Sequence, residues 1–210
     1  LALLARSSVA GAAYIDIEAD TLDANPSFIR DGGLDGRAKL IASHHDFSAT
    51  PADLGAIVRR LEALPCQVVK FAFKVNQLSD NVRIWEAMRL CRKQVIGLGM
   101  GELGEVSRVL ALRFGSLLTF GSLAKGKESA PGQLNVRDLA NLYRVRSITE
   151  KTALYAVVGD PIAHSLSPEI HNSAFRELGL DAAYLRFRVA DFADFLKTFN
   201  APALDPKQQL

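Results

Sequence analysis

The sequence predicts an α/β protein built on parallel strands, on three observations. Strand-like runs rich in β-branched and aromatic residues recur at 14–18, 39–43, 68–73, 94–98 and 116–120. Helical patterns occupy the intervals at 51–64, 80–92 and 102–113. The strand starts are spaced by roughly 22 to 29 residues, the length of a βα unit. Such crossovers make the strands parallel, whether the sheet closes into a barrel or stays open. In both cases functional groups gather at the carboxyl ends of the strands.

Each element follows from local chemistry. Leu1 to Ala5 is too short for the apolar core of a signal peptide and runs at once into Arg6, so it reads as the end of a helix. The first residue is not methionine and the chain opens in mid-pattern, which leads us to expect a fragment or a processed start. Tyr14 to Glu18 is a strand that ends on an acid. Lys39 to Ser43 is the next, followed by His44-His45-Asp46-Phe47 and by Thr50 as N-cap of a helix over 51–64.

Val68-Val69-Lys70-Phe71-Ala72-Phe73 reads as a buried strand holding a lysine. Burial disfavours an ammonium, and a neutral amine is what attacks a carbonyl. The alternative is a lysine at a strand end whose head reaches solvent. Lys74 has the same strand parity and is the rival nucleophile, although it lies past the apolar run. His45, where a strand gives way to its loop, is placed for acid–base work.

After the helix at 80–92 comes the strand Gln94 to Leu98, then a helix over 102–113 carrying Arg108, then Ser116 to Phe120. Gly121-Ser122 and a Lys/Gly-rich loop lead to Ser129-Ala130-Pro131-Gly132-Gln133, and Val136 to Tyr143 is the last helix of the series. A polar, weakly patterned stretch at 144–151 marks a domain boundary, dividing the chain into 1–146 and 152–200, with a tail at 201–210. The second part opens with a strand at 154–158. Ser167-Pro168 is an N-cap with proline at the first helical position, Gly179 closes that helix, and a strand at 183–189 and a helix at 191–199 follow.

The totals exclude several classes of function. The chain has 210 residues, 49% of them hydrophobic, with 25 basic and 23 acidic side chains and a net charge of +2, which suits a globular protein. With the signs interspersed and no basic tract, neither nucleic acid nor an anionic membrane is indicated as partner. No apolar run approaches the roughly 20 residues of a spanning helix. Cys66 and Cys91 are isolated and fit reduced thiols in the cytoplasm.

Bland readings stand beside the chemical ones. Glu18 fits a solvated acid and Arg108 a helix surface. His44-His45-Asp46 could hold a metal, but adjacent strand residues diverge and no further ligands stand out, so no metal site is assigned. Gly99-Met100-Gly101-Glu102-Leu103-Gly104 spells GxGxxG between a strand and a helix. A lone match is weak, and the next strand ends without an acid for a ribose, so the glycines read as a tight turn.

Five motifs in order, Tyr14-Ile15-Asp16-Ile17-Glu18, Ser43-His44-His45-Asp46-Phe47, Val68-Val69-Lys70-Phe71-Ala72, Met100-Gly101-Glu102-Leu103-Gly104 with Ser107-Arg108, and Ser129-Ala130-Pro131-Gly132-Gln133, resemble type I 3-dehydroquinate dehydratase. Val158-Gly159-Asp160-Pro161-Ile162-Ala163-His164-Ser165 with Ser167-Pro168 resembles the start of shikimate dehydrogenase. The resemblance implies a partial (β/α)8 TIM barrel, its last five strands, followed by the beginning of an α/β shikimate-binding domain. The barrel's first three strands, and the dehydrogenase's catalytic lysine and aspartate and its nucleotide-binding domain, would be missing.

By the same resemblance, Lys70 forms an imine with 3-dehydroquinate, His45 moves the proton, and Glu18 orients and charge-balances His45. Arg108 holds the substrate carboxylate, Ser129 and Gln133 close over the ring, and Met100 packs at the rim. Ser165 and Ser167 bind the carboxylate of shikimate or 3-dehydroshikimate. No cofactor is expected for the dehydratase, and NADP for a full-length dehydrogenase. The partners are small molecules in the cytoplasm, or in a plastid for a plant or alga. A binding or assembly module without catalysis is the alternative.

Overall fold

The computed structural model describes residues 1–30, 34, 38–124 and 126–199, with the side chains of 29 and 30 left aside. The tail expected at 201–210 lies outside the described residues. Helix α1 (Ala2–Val9) leads to β1 (Tyr14–Glu18), α2 (Ala19–Ala24), α3 (Pro26–Arg30) and β2 (Lys39–Asp46). Then come α4 (Leu54–Ala63), β3 (Val68–Lys74), α5 (Ser79–Leu90), β4 (Gln94–Met100) and the short α6 (Glu105–Val109). β1 to β4 form one parallel sheet in sequence order. The segment at 116–120 takes the place expected of a fifth strand through one parallel bridge, Ser116 to Val95, with the Leu117 N–H donating to the Val95 carbonyl at 2.7 Å. Its side chains Leu117, Leu118 and Phe120 then pack against the inner face of the sheet.

Strand alternation sorts the sheet into two faces. Ile15, Ile17, Leu40, Ala42, Val69, Phe71, Phe73 and Val95 turn outward into the main core, which the helices cover. Phe71 and Phe73 stack at 5.6 Å, and burying one such ring stabilises by about 1.5–3 kcal/mol. The other face carries Ile41, Val68, Ala72, Ile96, Leu98 and Met100, a smaller apolar cluster. The register is Asp16 opposite Ile41, Glu18 opposite Ser43, Ser43 opposite Lys70 and His45 opposite Ala72. These polar groups therefore share the inner face.

Several boundaries moved from their sequence positions. β2 continues through Asp46, so His45 lies within the strand and not after it, because its backbone stays paired with β3. α4 begins at Leu54, with Asp53 as cap accepting from the Ala56 N–H at 2.8 Å, while the Thr50 hydroxyl donates to the Lys74 carbonyl instead. The helix expected over 102–113 is a succession of short pieces, Glu102–Gly104, α6 and Leu112–Phe114. Ser107 explains the break at its start: its hydroxyl donates to the Gly104 carbonyl and accepts from the Gly99 N–H, winding the turn back on the strand.

The second part holds β5 (Ala153–Gly159), α7 (Ser167–Glu177), β6 (Ala182–Arg188) and α8 (Phe192–Phe199), with β5 and β6 parallel. α7 starts at Ser167 itself, one residue earlier than expected, after Leu166. Buried Asn172 ties α7 to β6, donating to the Tyr184 carbonyl and accepting its N–H. The two parts share the main core. Arg113 donates to the carbonyls of Thr149 and Thr152, and Arg188 joins Glu102 at 2.6 Å and Asp160 at 3.0 Å. Between them lies an apolar cavity of about 290 Å³ lined by Trp85, Phe114, Tyr155 and Phe187 among others.

Candidate active site

The inner face opens at the carboxyl ends of β2, β3 and β4 into a cavity of about 210 Å³. Its lining brings together His45, Lys70, Met100, Arg108, Ser129 and Gln133, closed in by Phe47 and Phe120 among others. Six of the nine residues expected from the sequence thus meet in one place. His45 and Lys70 lie on neighbouring strands two residues apart in register, a Cα separation of about 8 Å from ideal sheet spacing. One small ring can touch both.

Glu18, at the end of β1, stands behind His45. Its Oε2 is 2.8 Å from His45 Nδ1 and accepts from the Ser43 hydroxyl at 3.1 Å, while Oε1 accepts from the His45 N–H at 2.9 Å. An ionised carboxylate only accepts, so Nδ1 carries the proton and Nε2 of the neutral ring keeps its lone pair. His45 is also stacked on Phe47, with centroids 6.1 Å apart. The metal reading is not supported by geometry: His44 turns its edge to Phe73, and Asp46 accepts from the N–H groups of Ser48 and Ala49. Among the described residues no three His, Cys, Asp or Glu side chains are grouped to hold a metal ion.

Lys70 is 12% exposed, and its Nζ lies 4.7 Å from the Phe120 ring centroid. The expectation that apolar surroundings alone hold this amine is corrected here. Asp16 Oδ2 sits 2.6 Å from Nζ, because Asp16 and Glu18 alternate onto the same face of β1 as Lys70. The sequence pattern did not single out Asp16 as a partner of Lys70. The parity of Asp16 with Glu18 was the available signal. Lys74, the rival nucleophile, does not line the cavity, and its head packs against Gly101.

Arg108 is 2% exposed, one of the largest buried side chains of the chain, which corrects the helix-surface alternative. Burial pushes its guanidinium down to about 10, with Glu105 opposing that shift. Its Nε has no hydrogen-bond partner among the described residues. A buried cation that lines a cavity and has an unanswered N–H suits an anionic group. Met100, 1% exposed, is wall and not rim.

The loop carrying Ser129 and Gln133 is seated on the turn after β4. The Gly101 N–H donates to the Pro131 carbonyl at 2.9 Å, and the Ser129 N–H and hydroxyl both donate to Gln133 Oε1. Gly132 makes this seat possible, since a Cβ there would fall 2.0 Å from the Gly101 oxygen, and its φ of 71° is left-handed. The glycines of the GxGxxG match are likewise occupied by protein: a Cβ on Gly104 would sit 2.5 Å from the Gly99 carbonyl carbon. The match is a tight turn.

Ser165 and Ser167 do not join this cavity. They sit at the start of α7 with their hydroxyls 3.2 Å apart, and the Ser165 carbonyl accepts from Arg186.

A parallel sheet with helices on its outer face, and a lysine and a histidine among the polar groups at the carboxyl ends of its strands, defines a (β/α)-barrel-like protein with a candidate site at those strand ends. Residues 1–150 match the family described as type I 3-dehydroquinase, and residues 157–205 match the shikimate dehydrogenase substrate binding domain. The chain belongs to the type I 3-dehydroquinase family and carries a shikimate dehydrogenase substrate-binding domain after it. It is 37% identical over 195 residues to the chloroplastic bifunctional 3-dehydroquinate dehydratase/shikimate dehydrogenase of Arabidopsis thaliana, covering 91% of this chain and 32% of that one. Among solved structures, the dehydroquinate dehydratase and shikimate dehydrogenase of S. pombe AroM is 26% identical with a TM-score of 0.54, covering 96% of this chain and 38% of that one. Type I 3-dehydroquinate dehydratase from Clostridium difficile, with covalently modified comenic acid, is 27% identical with a TM-score of 0.55, covering 69% and 59%. The chain thus spans between about a third and three fifths of these relatives. No helix among the described residues is long and apolar enough to cross a membrane.

Proposed function

We propose that the cavity dehydrates 3-dehydroquinate to 3-dehydroshikimate through an imine on Lys70. The observation that carries this reading is the meeting of Lys70, His45 backed by Glu18, and the unanswered Arg108 in one small cavity of a type I 3-dehydroquinase family member. Arg108 takes the substrate carboxylate, a charge-assisted pairing suited to a planar guanidinium. Lys70 adds to the C3 ketone and water leaves, so the iminium draws electrons from C2. Nε2 of His45, left as the base by the Glu18 contact, removes the C2 proton and returns it to the departing C1 hydroxyl, and one water then hydrolyses the product imine, restoring the C3 ketone and the Lys70 amine. Ser129 and Gln133 hold the ring under the loop, which keeps water from the imine.

For the second part, the two hydroxyls at the head of α7 suit the carboxylate of shikimate or 3-dehydroshikimate. NADP, expected for a full-length dehydrogenase, finds no room at the GxGxxG turn, where the space beside the glycines is taken by the Val75 and Lys74 side chains and by the turn's own backbone. A cytoplasmic or plastid setting fits the two free thiols.

Borohydride reduction in the presence of 3-dehydroquinate, followed by peptide mass spectrometry, tests the proposal. We expect a substrate adduct on Lys70 that Lys70→Met abolishes. A wild-type chain without an adduct, or with one on Lys74, overturns it.

A further inference from the structure

Resting on that reading, we propose that Asp16 is a further catalytic residue: it takes the proton that Lys70 must lose before the amine can attack, and returns it to the hydroxyl that must leave. The geometry is a single contact of 2.6 Å between Asp16 Oδ2 and Lys70 Nζ, the shortest link the reacting nitrogen makes. Asp16 is on β1 and Lys70 on β3, with β2 between them at Ile41 and Ser43. Nothing polar from β2 intervenes, since Ile41 is apolar and the Ser43 hydroxyl is engaged by Glu18.

The neighbouring base has a different proton to move, at C2. His45 gives Nδ1 to Glu18, and its remaining nitrogen serves the C2 proton. β1 therefore supplies two acids at i and i+2 on one face, one behind each working group: Asp16 for Lys70 and Glu18 for His45. Asp16 is partly exposed at 33% while Lys70 is at 12%, so the carboxylate keeps contact with water and can exchange its proton between turnovers.

The step balances without a further reactant. The ammonium of Lys70 transfers one proton to the Asp16 carboxylate, leaving a neutral amine and a carboxylic acid. The nitrogen lone pair forms the C–N bond to C3 as the carbonyl π pair moves to oxygen. The oxygen gains the proton that nitrogen sheds, giving a carbinolamine. Asp16 then donates its proton to that hydroxyl, the C–O bond breaks, water leaves, and the iminium remains beside a carboxylate again. One ammonium and one ketone become one iminium and one water, with Asp16 restored.

Rapid mixing with 3-dehydroquinate and timed borohydride quenching reads imine formation on Lys70 by mass spectrometry, alongside steady-state kcat and KM. For Asp16→Asn, which keeps the side chain's size, trapping and kcat should both fall about a hundredfold or more, the usual reach of a lost proton-transfer group, with KM little changed. Asp16→Glu should restore most of the rate. Circular dichroism confirms folding, and should the asparagine variant not fold, trapping on the wild-type chain in deuterium oxide must be slower than in water.

Trapping at the wild-type rate in Asp16→Asn, a loss confined to KM, failure of Asp16→Glu to recover any rate, or equal wild-type rates in the two solvents overturns the assignment. These outcomes differ from failure of the underlying reading, in which the wild-type chain itself gives no Lys70 adduct.

Discussion

Replacing Arg108 with methionine should make the protein more stable and less able to bind its substrate. The guanidinium is 2% exposed and burial holds it down at about 10 against an ordinary 12.5. At 1.36 kcal/mol per pKa unit, that displacement corresponds to about 3 kcal/mol against the charged form in the fold. A base whose folded pKa is depressed carries this cost wherever it is charged, so the penalty is constant below pH 10 and relieved only above it. Methionine has similar length and packs without charge. It should therefore recover up to about 2–3 kcal/mol, less whatever Glu105 loses by no longer facing a cation. In a chain of this size that is roughly 5–10 °C in melting temperature.

Binding should move the other way. Losing a buried, charge-assisted partner of a carboxylate costs about 2–5 kcal/mol, so KM for 3-dehydroquinate should rise at least thirtyfold. Urea denaturation followed by circular dichroism reads the first effect and steady-state kinetics the second. A variant that melts lower than wild type would show that Arg108 is a structural strut, and a variant with unchanged KM would show that it does not meet the substrate.

Gly132→Ala should unseat the loop, because its Cβ has no room beside the Gly101 carbonyl; we expect KM to rise about tenfold and stability to fall by about 1–3 kcal/mol, read by kinetics and urea midpoint. Gly126→Ala, also left-handed but with nothing within 4 Å, should lose only about 1 kcal/mol and leave KM alone. Glu105 is pushed up to about 7, first by burial, with Glu102 and Asp138 adding and Arg186 and Arg108 opposing. A carboxyl raised in the fold gives stability that is complete below its unfolded 4.5 and lost as pH rises through 7. Glu105→Gln should therefore flatten the fall in stability between pH 5 and 8, by about 3 kcal/mol at most, in urea titrations at the two pH values.

Much of the site was legible because strands alternate. Strand-end position alone offered Glu18, His45, Lys70 and Arg108 as candidates beside bland alternatives, and the family resemblance supplied their roles and those of Ser129 and Gln133; the fold gathers His45, Lys70, Arg108, Ser129 and Gln133 in one cavity, with Glu18 behind His45. Asp16 was missed although it stands two residues before Glu18, because the apolar run around Lys70 suggested desolvation as the whole of its environment. The helix over 102–113 was misread as continuous: its apolar spacing is helical, but Ser107 spends its hydroxyl on the backbone of the turn.

Residue order alone determined the βα rhythm, the parallel sheet and the face on which each side chain stands, since these follow from periodicities of two and 3.6 along the chain. Which groups touch was decided only in three dimensions. Asp16 meets Lys70 across 54 residues, and Arg188 meets Glu102 across 86. The burial that strips Arg108 of water is made by strands and loops distant in sequence. Contact and desolvation depend on the chain's neighbours in space, and spacing along the chain does not encode them.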